Sequence, residues 1–362
     1  MGSTRKAADW LKERAFNYLL LWKSGPRRVK RVLDSRRIGR SSNCNHLPAR
    51  RIRVASVQMR LELVGSATQY AEKIYRLTRE AVERGAQLIV FPEYTGIPLV
   101  GFLPGLEKLA AGTTMQGALD TMVGGDVKAA DVFRVLAPAV RRIYETTFAE
   151  LSRRFGVYII AGSAVLPDET GEVRNYGHFF GPDGLLIGRQ AKVHLMPEEA
   201  AWGLSPGEGF QVFDTLLGRI ALPVCMDATY FETFWIVAQA GAEMVAIPSA
   251  NPEPYNLWMA LRGIWPRVQE SQVIGIGSSM VGEFMGLAFT GRSSVLAPLE
   301  LTPDRTGVIA QAATFDQEEV VVADVDLGAL AQLRQEAPIS GGFNIALYKK
   351  YLPMAYLKHG RP

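Results

Sequence analysis

The spacing of apolar residues changes several times along the chain, and the changes predict short strands alternating with longer helices. Ile52–Gln58 mixes apolar and polar positions with β-branched residues, as a first strand does. Ala67–Arg84 repeats its apolar residues at helical spacing and stops before Gly85, a natural C-cap. Gln87–Phe91 is a compact apolar run, the pattern of a strand buried on both faces. A helix over Ala137–Phe155, closed by Gly156, and a strand over Val157–Gly162 follow from the same rules. Val173–Phe180 and Leu185–Val193 flank Gly181–Pro182–Asp183–Gly184, a turn that predicts a β-hairpin.

Pro197–Gly203 reads as a loop. Ile220, Ala221, Leu222 and Val224 form another buried strand, ending at Cys225, with a helix over Phe231–Ala240. Strands over Ala242–Pro248, Val273–Ser278, Arg292–Ala297 and Val320–Val325 and helices over Tyr255–Gln272 and Asp326–Gln335 complete the pattern. Pro104–Lys128 is Gly-rich and carries no clear period. Such alternation is that of an α/β sandwich.

The first 53 residues differ from the rest. They hold 15 Lys and Arg against three acids, and the remainder holds 25 against 33. The basic character therefore belongs to an appended segment, which argues against a nucleic-acid-binding core. Within it, Ala7–Trp22 places Trp10, Leu11, Ala15, Tyr18, Leu19 and Trp22 near helical spacing. Packing on the body, contact with a neighbouring subunit and contact with an anionic membrane surface all stay open for this helix. Gly25–Arg53 reads as a polar, Arg-rich linker. The division expected is an arm over 1–50, a main domain over 51–330 and an extension over 331–362. Aromatics within Ile345–Tyr356 suit the extension to pack on a second subunit.

Two Cys make no disulfide framework, which points to a reducing, cytoplasmic compartment, or a membrane-peripheral place there through the N-terminal helix. Four His and two Cys, all scattered, give no zinc spacing, so no metal is expected. The chemistry lies at strand ends, where α/β folds place their sites. Glu93 follows the Gln87–Phe91 strand, Lys192 alternates with apolar neighbours, and Cys225 closes its own strand before a helix. A carboxylate can take a thiol proton, a thiolate can attack a carbonyl, and an ammonium can hold the oxyanion. Taken singly, each has a plainer reading: a solvated acid, an edge lysine, a small core cysteine.

Three motifs in order remove much of that ambiguity. Phe91–Pro92–Glu93, Arg189–Leu195 and Pro223–Asp227 together resemble the catalytic Glu, Lys and Cys motifs of the carbon–nitrogen hydrolase (nitrilase-like) superfamily. The resemblance runs from about Arg53 to Asp326. It implies a four-layer αββα sandwich, a homo-oligomer of two or more copies, and a Cys–Glu–Lys hydrolase of C–N bonds needing no cofactor. It also implies a second acid on the loop after the Lys, with Glu199 in the functional place and Glu198 as its rival. Met226–Asp227 after the nucleophile resembles the amidase and carbamoyl-amidase branches more than the nitrilases. The substrate expected is a small amide, carbamoyl compound or nitrile. Tyr94, Trp202, Met226, Tyr230, Asn251 and Trp258 are the candidate pocket residues. A nitrilase, an amide-forming acyltransferase and a non-catalytic protein working through its basic arm are the alternatives.

Overall fold

The central strands of the sheet bury both of their faces, and this sets the layering. The computed structural model describes residues 25–36, 50–102, 117 and 128–359. The helix expected over Ala7–Trp22 lies outside the described residues, as does Pro104–Lys128 apart from Gly117 and Lys128. In chain order the first elements are α1 (Pro26–Asp34), β1 (Arg51–Arg60), α2 (Ala67–Glu83), β2 (Leu88–Val90) and α3 (Ala129–Phe155). Next come β3 (Tyr158–Pro167), β4 (Val173–Phe180), β5 (Leu186–Ala191), α4 (Pro197–Ala201), β6 (Val212–Thr215) and β7 (Gly218–Ala221). They are followed by α5 (Phe231–Gln239), β8 (Met244–Ser249), α6 (Leu257–Ala260), α7 (Ile264–Ser271), β9 (Ile274–Phe284) and β10 (Leu287–Phe289). The last are β11 (Ser294–Leu296), β12 (Val308–Gln311), β13 (Glu319–Asp326), α8 (Leu327–Glu336) and α9 (Ile345–His359).

The main strand order is β5-β4-β3-β2-β1-β9-β8-β7-β6. Strand β1 pairs in parallel with β2 through Val54–Ser56 and, further along, with β9 through Met59 and Arg60. It thereby joins two halves of one sheet that fold face to face. Alternate residues enter different cores, as the two-residue strand period requires. Ile89 and Phe91 pack with Ile74 of α2 and Phe148 of α3. Leu88 and Val90 face the opposite way, meeting Ile220, Ala246 and Ile276 of the other half. Val245 and Ile247 turn outward again, against Phe234 and Val237 of α5 and Val268 of α7. Three apolar interfaces separate four layers, which is the αββα sandwich expected. Each fully buried Leu, Ile or Phe in these interfaces contributes about 1.5–3 kcal/mol.

Several elements differ from the sequence-based expectation. The linker read into Gly25–Arg53 contains α1, whose Val29 and Leu33 are buried against α2 and α3. Two apolar anchors suffice because Lys30 pairs with Glu150 and Asp34 with Arg154 around them. Helix α3 starts eight residues before Ala137, since Asp131 accepts from the Lys128 N–H and caps the true start. Pro197–Gly203 is not all loop, because α4 occupies Pro197–Ala201 with Pro197 at its first position. The single helix expected over Tyr255–Gln272 is two, broken where Gly263 takes φ −87° and ψ −121°. Strand β7 stops at Ala221, so Cys225 lies four residues past its end.

Candidate active site

The chain turns sharply after β2 and presents Glu93 inward. Phe91 anchors the approach, its ring 5.1 Å from that of Phe148. Tyr94 then takes φ 61°, a left-handed conformation rarely adopted by residues with a side chain. Strand β3 holds it there. Ser163 Oγ accepts from the Tyr94 N–H at 2.9 Å, and the Ser163 carbonyl accepts from Gly96 at 3.0 Å. Thr95 Oγ1 donates to the Pro92 carbonyl at 2.6 Å. Gly162 lies so close beneath that an added Cβ would stand 1.8 Å from the Pro92 oxygen.

Lys192 directly follows β5, and its N–H bonds the Asn175 carbonyl of β4 at 2.9 Å. Its ammonium lies 2.8 Å from Glu93 Oε1 and 2.7 Å from Glu199 Oε2. All three side chains are buried. Helix α4 supplies Glu199, which also accepts from the Met196 N–H at 2.9 Å and from the Tyr94 hydroxyl at 2.5 Å. Glu198, next in the chain, is exposed. Of the two rival acids, Glu199 is therefore the one in the cluster.

Asn175 was not singled out by sequence. Its Nδ2 donates to Glu93 Oε1 at 2.9 Å and to Glu199 Oε1 at 3.1 Å, so one amide spaces both carboxylates around the ammonium. The available signal was an uncharged polar residue in a strand whose alternate positions are apolar. Two buried acceptors of the cluster, Glu93 Oε2 and Asn175 Oδ1, have no hydrogen-bond partner.

Cys225 occupies the first position of a 3-10 turn, Cys225–Thr229, with φ 48°. Asp227 holds that turn and is a second residue whose part sequence did not reveal. Its Oδ2 accepts from the Val224 N–H at 2.9 Å, and its Oδ1 from the His194 N–H at 2.8 Å and the Val193 N–H at 3.2 Å. His194 Nδ1 lies 2.8 Å from the same Oδ1. One fully buried carboxylate thus ties the turn bearing the thiol to the loop bearing the ammonium. The thiol sulfur lies 4.0 Å from the Ala250 carbonyl oxygen at the end of β8.

The electrostatics follow from burial. Burial raises Glu93 above the ordinary carboxylate range; the Lys192 charge opposes that rise and Glu199 adds to it. Burial raises the Cys225 thiol as well, and the Glu93 charge raises it further. Burial works against the Lys192 charge, but the Glu93 and Glu199 carboxylates outweigh it and hold the ammonium protonated. The resting cluster therefore has a protonated thiol, a protonated lysine and a carboxylate readied to accept a proton.

The six candidate pocket residues are dispersed. Tyr94 bonds Glu199, and its ring lies 6.4 Å from that of Trp202; both line an apolar cavity of about 80 Å³. Met226 is half-buried, next in the chain to Cys225. Tyr230 is 39% exposed, and its ring sits 4.3 Å from that of His194. Asn251 is exposed one residue beyond Ala250, and Trp258 is 75% exposed on α6. Among the six, Tyr94 makes the direct hydrogen bond to the Glu–Lys–Glu cluster.

Comparison with known proteins agrees with this architecture. The chain is 27% identical over 294 residues to the probable hydrolase YhcX of Bacillus subtilis, matching 80% of this chain and 52% of that protein. It thus spans about half the length of that relative. It is 30% identical over 278 residues to a nitrilase of Pyrococcus abyssi, covering 76% and 90% of the two chains. It is 27% identical over 311 residues to an omega-amidase of Bos taurus, covering 82% and 96%. A mutant amidase of Nesterenkonia shares the fold with a TM-score of 0.62 at 19% identity, over 85% of this chain and 100% of that one. The Carbon-nitrogen hydrolase profile matches residues 53–335, most of the chain, and the chain belongs to the carbon–nitrogen hydrolase family.

Proposed function

We propose that this protein hydrolyses the C–N bond of a small amide or N-carbamoyl compound through a thioester on Cys225. The observation that carries the reading is the buried Lys192 ammonium, held between Glu93 and Glu199 beside a left-handed turn that presents a thiol. Glu93 takes the Cys225 proton as sulfur attacks the carbonyl carbon. The developing oxyanion is held by Lys192 and by the backbone N–H of Met226. Glu93 then passes its proton to the departing nitrogen, and the C–N bond breaks to leave a thioester. Water, deprotonated by Glu93, attacks the thioester. The acid product leaves, and Glu93 returns the proton to sulfur. Glu199, with Tyr94 and Asn175, keeps Lys192 oriented throughout.

A second reading rests on the 30% identity to a protein named as a nitrilase. A nitrile would be attacked by the same thiol, forming a thioimidate that releases ammonia on hydration. Ammonia release from a panel of amides, N-carbamoyl amines and nitriles separates the two. Turnover of amides with nitriles inert supports the first, and the reverse supports the second. A Cys225→Ala protein that keeps full activity overturns both. Intact mass after a brief substrate pulse reports the acyl group held on sulfur.

We also expect a homo-oligomer. Helix α9 exposes Tyr351, Met354 and Leu357, apolar surface that a second copy would cover; sedentation of the full chain by analytical ultracentrifugation tests this. The basic arm's contact with a subunit or an anionic membrane surface is checked by liposome flotation with and without residues 1–50. Among the described residues, no helix is long and apolar enough to cross a membrane.

A further inference from the structure

The chemistry above leaves the apolar cavity beside Tyr94 without a task. Leu61, Ile97, Phe284, Met285, Leu287 and Phe289 form its walls. Tyr94 and Trp202 line it too, and Glu198 is the one charged residue in its lining. No Lys, Arg or His lines it among the described residues.

Glu93, Lys192 and Cys225 do not line this cavity themselves, but three ties link its walls to them. The Tyr94 ring lines it while the Tyr94 hydroxyl bonds Glu199 at 2.5 Å. Trp202 caps α4, the helix that carries Glu199, and its N–H bonds the Glu198 carbonyl at 2.9 Å. The β9–β10 hairpin supplies the Phe284–Phe289 wall and is fastened at Thr290, whose N–H bonds the Asn251 carbonyl at 3.1 Å. Ala250, one residue before, has its carbonyl oxygen 4.0 Å from the Cys225 sulfur.

We propose that this cavity is the acyl-chain subsite and that it selects amides with a short, uncharged aliphatic arm. The assignment rests on the amide-hydrolase function proposed above. Its size sets the length. At about 80 Å³ it is roughly half the ~150 Å³ apolar cavity that accepts a benzene ring, so it takes a chain of about three or four carbons rather than a ring. Its chemistry sets the charge. A terminal carboxylate would leave water, meet no cation among the described residues of the walls and lie near Glu198. A neutral methyl end loses nothing there and gains burial.

The test is ammonia release by the full chain from straight-chain amides of two to eight carbons, each compared with the amide of similar length ending in a carboxylate. The expected result is a kcat/KM that rises roughly threefold or more per methylene to a maximum near five or six carbons in total and then falls. Carboxylate-ended amides are expected at least about a hundredfold below their neutral counterparts. In Leu287→Trp, which fills the cavity from a half-buried position, the hexanamide-to-acetamide ratio of kcat/KM falls at least about tenfold. A flat chain-length profile, or carboxylate-ended amides turned over as fast as neutral ones, overturns the subsite while the hydrolase function stands. Release of ammonia from no amide and from no N-carbamoyl amine overturns both.

Discussion

Two sharp turns, one carrying the acid and one the thiol, are built alike and held differently. Each follows a strand, and each puts a residue with a side chain into the left-handed region: Tyr94 at φ 61° and Cys225 at φ 48°. Such residues cost about 1–3 kcal/mol and persist where their surroundings impose them. At the Glu93 turn the surroundings are many. Ser163 bonds it twice, Thr95 closes it, and Gly162 leaves no space for movement. At the Cys225 turn Asp227 is the central anchor, holding Val224 on one side and the residues after Lys192 on the other. The difference teaches a division of labour. The Glu93 carboxyl group is locked inside the protein, while the thiol sits on a turn whose geometry depends on one carboxylate.

The largest effect should come from the thiol turn. Cys225→Ala and Cys225→Gly should both lose at least about 10⁴-fold in kcat, because each removes the nucleophile. The Gly protein should nonetheless be the more stable of the two by about 1 kcal/mol in urea denaturation, since glycine adopts φ 48° freely. Equal stabilities would mean that the turn stores no strain. Next is Gly162→Ala, which must push Cβ into the Pro92 carbonyl and should cost about 3 kcal/mol or more, with activity lost in whatever folds.

Asp227→Asn should act more mildly. It keeps the shape but turns one acceptor oxygen into a donor facing backbone N–H groups, for a loss of about 2 kcal/mol. If Asp227 positions the thiol turn, kcat should fall about tenfold or more with KM nearly unchanged. A change in stability alone would leave it a purely structural anchor.

The smallest expected effect is a shift in pH dependence. Burial raises Glu93 in the folded state, so its contribution to stability is fully present below the unfolded carboxylate pKa and is lost as pH rises through the raised folded value. Activity runs the other way, because the base must be ionised, and kcat/KM should climb through that same range. Glu199 adds to the rise, so Glu199→Gln should move the acid limb of kcat/KM to lower pH. A limb that stays in place or moves up would show that another group sets it.

Local patterns carried much of this fold. β1, β2, β4, β8 and β13 stand where alternation and apolar runs predicted them, because strands buried on both faces leave an apolar run that polar neighbours punctuate. α1 stayed hidden, since two buried side chains among Arg and Lys do not make a visible stripe. The break at Gly263 was equally obscure, because apolar spacing continues across it. At the site, Glu93, Lys192 and Cys225 were legible as motifs, whereas Asn175 and Asp227 were not. Each of those two acts by bonding groups many residues away, a property that no local spacing records.

By itself the amino-acid order determined the α/β alternation and the side chains able to do acid, base and thiol chemistry, because these depend on residue type and short-range spacing; the resemblance of three ordered motifs added the family and the four-layer scheme. Tertiary structure brought the expected Glu199, not its rival Glu198, against Lys192, and it alone decided that an amide from β4 spaces the two acids. It alone walled an apolar cavity with the β9–β10 hairpin beside Tyr94. Those outcomes depend on burial and on contacts across up to 105 positions of chain, and only packing brings such distant groups within bonding range.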